Sequence, residues 1–175
     1  VSGLTVSDNE GNWVPATPIN WIEEGGFYGV VPTSQTADFP KKRDKLICYI
    51  PHSIDNSAGG QVWVPEGAWG DLGGELIHLS YGKAKIFHVL KEKLGENIQG
   101  GVVDLDPSGG FDAGIMRARF NKQHQSLYLC GLKGWQTSGV KDGGLYRVRY
   151  QQQTECRPLS LRAGKNGLKI EFSQP

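Results

Sequence analysis

His52, Asp55 and Asn56 fall within five positions of one another in IPHSIDNSAGG, the chain's densest gathering of groups that move protons or hold ions. If an imidazole nitrogen of His52 met a carboxylate oxygen of Asp55, the two could act as a general base or as ligands of a divalent ion, with the Asn56 amide free to bind a ligand. An Asx turn carrying a surface histidine uses the same residues without chemistry. Asp8, Asn9 and Glu10 in DNEGN offer hard oxygen donors suited to Ca²⁺, but without the regular spacing of a calcium hand, and turn formation also explains them. His78 and His88 are expected on neighbouring strands. If paired across the ladder they would present two nitrogens to Zn²⁺ or Cu²⁺, with a third ligand still to be found.

Arg117 and Arg119, two apart on one expected strand, share a face and would form a cationic spot for a carboxylate or phosphate, unless salt bridges to Asp104 or Asp112 absorb them. Arg117 therefore joins His52 and Asp55 as a candidate catalytic group, and Arg119 joins Asn56 as a candidate ligand contact. Trp135, in GLKGWQTSG, could stack on a sugar or cap a sheet. The glycine pairs Gly100-Gly101 and Gly109-Gly110 form neither GxGxxG nor a P-loop, so no nucleotide site is implied. GxSxG, HExxH and CxxCH are absent too, which removes the local signatures of serine hydrolases, zincins and attached c-type haem.

The elements that must position these groups are strands. Of 175 residues, 25 are Gly, 10% are aromatic and five are Trp, a turn-dense composition that favours many short strands. A net charge of +1 gives no field that argues for nucleic acid or an anionic membrane. No window has the length and apolarity of a transmembrane helix, and Val1–Glu10 lacks the basic start and apolar core of a signal peptide. Cys48 and Cys130 sit in apolar runs and are expected as buried thiols; with Cys156 the count is odd, so at most one internal disulfide can form.

Strands are expected at Leu4–Ser7, Ile19–Ile22, Leu46–Ile50, Gln61–Val64, Glu75–Tyr81, Lys85–Lys91, Gln99–Leu105, Ile115–Phe120, Leu127–Leu132 and Leu145–Tyr150, separated by Gly, Asn and Ser-rich turns. The stretch 31–45, with its KKRDK cluster, is expected as a solvated connector. LIHL at Leu76–Leu79 matches LYLC at Leu127–Cys130, and IFHV at Ile86–Val89 matches LYRV at Leu145–Val148. LTVS at Leu4–Ser7 and INWI at Ile19–Ile22 form a looser third copy. A period of ~50 residues belongs to the propeller range of repeats, whose four-stranded sheets stack to bury their faces. The expectation is an all-β chain of about three four-stranded antiparallel blades over 1–58, 59–110 and 111–152. A β-sandwich, the alternative, does not explain why short turns alternate with long polar loops. Beyond the blades, 153–175 is expected to form a hairpin from Leu159–Arg162 and Leu168–Phe172.

DNEGNWVPATPINWIEEGGFYG, IPHSIDNSAGGQVWV with GELIHLSYG, IQGGVVDL, and GIMRARF with LYLCGLKGWQTSG and GGLYRVRY resemble the quinoprotein sugar-dehydrogenase-like β-propellers. The resemblance extends in particular to the propeller segment of large secreted planctomycete and verrucomicrobial proteins that often carry haem-binding domains. It covers Leu4 to about Tyr150 and implies a six-bladed ring of which this chain is about half. It also implies a periplasmic or extracellular setting, an axial position for the Arg117 strand, and a C-terminal hairpin like the start of an Ig-like domain. The region in which such relatives place a catalytic histidine is not matched. Three blades cannot close a ring, so a homodimer or the remainder of a propeller is the expected partner.

Three functions follow as expectations. The first is an oxidoreductase-related propeller that binds pyrroloquinoline quinone or a small polar, sugar-like ligand at the channel mouth. The second is a metal-assisted hydrolase of lactones, esters or phosphotriesters, in which His52, Asp55, Asp8 and Asn9 would hold a divalent ion, Ca²⁺ or Zn²⁺. The third is a non-catalytic interaction or carbohydrate-binding module.

Overall fold

The computed structural model describes residues 3–7, 16–31, 38, 40–105, 110–121, 123, 125–151 and 156–174. Within them the chain is all-β, with four antiparallel sheets and no α-helix. The first sheet is β1 (Thr5–Ser7), β2 (Ala16–Trp21) and β3 (Leu46–Pro51). The second is β4 (Ala58–Trp63), β5 (Leu76–Ser80), β6 (Lys85–Leu94) and β7 (Asn97–Asp104). The third is β8 (Gly114–Asn121), β9 (Ser126–Leu132) and β10 (Gly143–Arg149), and β11 (Pro158–Gly164) pairs with β12 (Gly167–Phe172) in a terminal hairpin. Strands are joined in sequence order in every sheet.

Only the second sheet has the four strands expected of a blade; the first and third have three each among the described residues. The internal repeat fits the second and third sheets, whose matched segments are second and third strands in both. Leu4–Ser7 and Ile19–Ile22 slip by one, being first and second strands of theirs.

The sheets stack in chain order because each buries an aliphatic face that cannot be covered alone. Ile19, Ile47, Cys48 and Ile50 of the first sheet pack with Leu76 and Val89 of the second. The second sheet's opposite side, with Ile77, Leu79 and Ile86, packs on Ile115, Ala118, Leu127 and Leu129 of the third. The first strand of each sheet lines up along one side of the stack, β1 beside β4 and β4 beside β8. That approach depends on Gly59, where an added Cβ would run into the carbonyl oxygen of Ile115. Two indole contacts pin the strands: Trp63 Nε1 donates to the Gly3 carbonyl at 3.0 Å, and Trp21 meets the Trp63 ring edge-on at 6.2 Å.

All three cysteines are free. Cys48 is buried as expected, and its burial pushes the thiol up to about 12. Cys130, expected to be buried, is exposed, because β9 turns its even-numbered side chains away from the second sheet. The terminal hairpin lies against β6, where the Ala163 N–H donates to Glu92 Oε1 at 2.9 Å. In the 41–45 cluster the lysines are exposed, while Arg43 reaches Asn20 Oδ1 at 3.2 Å and stacks over Tyr49.

Candidate functional site

The turn after β3 reverses the roles expected of its residues. The N–H groups of Ile54 and Asp55 both donate to the Pro51 carbonyl, which drives Asp55 inward until it is wholly buried. Its Oδ1 accepts the Ser57 N–H at 3.1 Å, closing the Asx turn, and also the Ser80 hydroxyl at 2.5 Å. Its Oδ2 lies 2.6 Å from His78 Nε2. Thr17 Oγ1 donates to the Asp55 carbonyl at 2.8 Å, so this single residue ties the first sheet to the second. Both carboxylate oxygens are thus engaged away from His52, whose half-buried ring leaves Nε2 without a hydrogen-bond partner. Asn56 serves as a strut: its Nδ2 donates at 3.1 Å to the carbonyl of Gln136 in the loop between β9 and β10.

His78 and His88 do not converge. The register sets His78 opposite Phe87 and His88 opposite Ile77, which puts the two imidazoles on opposite faces of the second sheet. His78 faces the first sheet with Asp55. His88 Nε2 lies 3.5 Å from Glu75 Oε2, the oxygen that also takes Lys91 Nζ. Burial raises the Glu75 pKa, but the neighbouring His88 and Lys91 outweigh it and hold the carboxyl down at about 2. No group of three His, Cys, Asp or Glu side chains able to hold a metal ion occurs among the described residues. Asp8 and Asn9 lie outside them.

Asp104 and Asp112 do not neutralise Arg117 and Arg119. Asp104 pairs with Lys85 and Asp112 with Lys141, each at 2.6 Å. Both arginines instead donate to carbonyls: Arg117 to Gly59 and Met116, Arg119 to Ala118, each at 2.7 Å. Trp135 stands 83% exposed, with its carbonyl accepting the Tyr81 hydroxyl.

What the fold does bring together is a cleft of about 320 Å³ where the first strands of three successive sheets meet, lined by Thr5–Ser7 of β1, Ala58–Gln61 of β4 and Arg117 of β8. Three glycine and alanine residues at the start of β4 keep its floor low, and the Arg117 guanidinium reaches across to Gly59. Gln61 lines the wall, but its amide is buried behind it, with neither its oxygen nor its nitrogen hydrogen-bonded. Directly opposite Gln61 on β5 is His78, held by Asp55 through Nε2 and likewise lacking a partner at the buried Nδ1. A carboxylate entering the cleft meets the Arg117 guanidinium, whose present partners are the Gly59 and Met116 carbonyls.

Sequence reasoning found Arg117 and missed Gln61, Thr5 and Ser7. The signal was the run Ala58-Gly59-Gly60 just before an inward-facing glutamine, since small residues within a strand mark a close backbone approach. Comparison with known proteins places the chain in no group: no protein-family model, no curated protein and no solved structure matches it.

Proposed function

We propose that the protein is a propeller-type ligand-binding array that takes a small, hydroxyl-rich molecule bearing a carboxylate, of the sugar-acid class, in the cleft between β1, β4 and β8. One observation carries this reading: the Arg117 guanidinium lines that cleft with the backbone carbonyls of Gly59 and Met116 as its hydrogen-bond partners and no carboxylate. Arginine supplies a permanent charge and a planar fork that matches a carboxylate. Thr5 and Ser7 add two further hydroxyls to the rim.

The sequence's resemblance to quinoprotein sugar-dehydrogenase-like propellers supports a sugar-like ligand. Quinone chemistry itself does not fit the described residues: it needs a base at the substrate, and His52, His78 and His88 are all absent from the cleft lining. The metal-assisted hydrolase has no grouping of described ligands behind it.

Calorimetric titration with gluconate, galacturonate, glucose and inorganic phosphate tests the proposal. Gluconate or galacturonate should bind, and Arg117→Gln should weaken them at least tenfold, about 1.4 kcal/mol, with a smaller effect on glucose. Absence of binding by both sugar acids, or binding untouched by Arg117→Gln, would overturn it.

A further inference from the structure

The outward face of the third sheet is rich in arginine among the described residues. Its strands β8, β9 and β10 hold four arginines and not one carboxylate. Register fixes which side chains share that face: Arg119, Tyr128 and Arg147 form one row across the three strands, Arg117, Cys130 and Leu145 the next, and Asn121, Ser126 and Arg149 the last. Arg119, Arg147 and Arg149 are exposed, and none has a carboxylate partner among the described residues. Leu145 stands 77% exposed beside them, and Leu132 44%.

We propose that this face is a docking surface for a partner protein that presents an acidic β-strand or sheet face. The spacing selects the partner. Arg147 and Arg149 are two residues apart on β10, about 7 Å, and Arg119 and Arg147 flank Tyr128 across two strand intervals, about 10 Å. Glutamate or aspartate at alternate positions of an extended strand repeats at the same 7 Å, so each carboxylate meets one guanidinium as a charge-assisted pair. The mixture of residues selects a protein over a polysaccharide or nucleic acid. Arginine and tyrosine concentrate at protein interfaces, and Leu145 and Leu132 gain from contact only with a surface that excludes water. A second copy of this chain is the poorer fit, because sheets of this chain meet one another through aliphatic faces, and four arginines would have to be desolvated without acids to receive them.

The probe is an end-blocked octapeptide of alternating glutamate and threonine, titrated at low salt into the full chain and followed by amide NMR shifts. A block peptide of the same composition with consecutive glutamates, a single-stranded oligonucleotide and polygalacturonate serve as comparators. Expected are shifts confined to 119–132 and 143–149, affinity that falls with added salt, a loss of at least tenfold in Arg147→Gln/Arg149→Gln, and weaker binding of the block peptide. The variant keeps Arg117 and the cleft, so gluconate binding should persist in it. No shifts on this face, equal binding of both peptides, tighter binding of the oligonucleotide or polygalacturonate there, or self-association that the double variant abolishes would each overturn the proposal.

Discussion

The third sheet has two faces of opposite chemistry. Toward the second sheet it turns Ala118, Phe120, Leu127, Leu129, Tyr146 and Val148, which join the larger of the two hydrophobic clusters. Outward it turns Arg119, Tyr128, Cys130, Leu145, Arg147 and Arg149, while Arg117 bends back at the sheet edge to the Gly59 carbonyl. Alternation separates the two sets along β9, β10 and the later part of β8, after a bulge between Ile115 and Arg117 that lets Ile115 face inward. In the second sheet both faces are covered: Leu76 and Val89 contact the first sheet, and Ile77, Leu79 and Ile86 contact the third. The described aliphatic interfaces thus join the first sheet to the second and the second to the third, and the third sheet's outward face presents arginine where those interfaces present leucine and isoleucine.

The comparison makes its largest claim about stability. Leu129 is 1% exposed on the inward face, and Leu129→Ala is expected to cost about 2–5 kcal/mol through lost burial and a cavity that the rigid sheets cannot close. Urea unfolding reads this directly as a lowered midpoint at unchanged slope. A cost under about 1 kcal/mol would mean that the second and third sheets do not pack as a fixed pair.

A smaller effect separates paired charge from unpaired charge. Glu75, at the start of β5, has its pKa depressed to about 2 from an unfolded value near 4.5, because His88 and Lys91 outweigh its burial. A carboxyl depressed on folding stabilises the native state above its unfolded pKa and loses that contribution as pH falls through the folded one. The window is thus roughly pH 4.5 down to 2. Glu75→Gln should lower stability at pH 7 and flatten the fall across that window, measured as unfolding midpoint against pH. Arg147→Gln should leave the shape of the profile unchanged, since a guanidinium stays charged throughout. If the wild type and Glu75→Gln profiles run parallel below pH 4.5, the ion pair is absent in solution.

Most of the architecture was legible because the strands announce themselves by period and by turn chemistry. The runs Leu127–Leu132 and Leu145–Tyr150 become β9 and β10 almost to the residue, and the Lys-Asn-Gly turn at Lys165–Gly167 links β11 to β12, with Gly167 at φ 135°. The site was less legible because it depends on register, which a one-residue slip inverts. His78 and His88 each lie in an identifiable strand, yet pairing His78 with Phe87 sends the two rings to opposite sides. Asp55 was expected to meet His52 or to close an Asx turn, because both lie in one polar loop. Two hydrogen bonds to the Pro51 carbonyl instead carry it under the first sheet to His78 and Ser80. Arg117 and Arg119 were visible as a pair on one strand, but their union with Arg147 and Arg149 needs the β8–β9–β10 order.

The smallest expected effect is the one that tests the outward face most strictly. Leu145 lies opposite Cys130, one row from Arg119 and Arg147, and most of its side chain is in water. Removing an exposed side chain leaves no cavity and strands no polar group, so Leu145→Ala should change unfolding free energy by no more than about 0.5 kcal/mol. It should nevertheless weaken the alternating glutamate–threonine peptide measurably, because a bound strand would lie along Leu145 and take it out of water. The two readouts separate the faces by mechanism: Leu129 contributes to folding, Leu145 only to association. If Leu145→Ala lowers the midpoint as much as Leu129→Ala does, the outward face is already covered in the free chain, by its own segments or a second copy. The contrast between the two faces would then collapse.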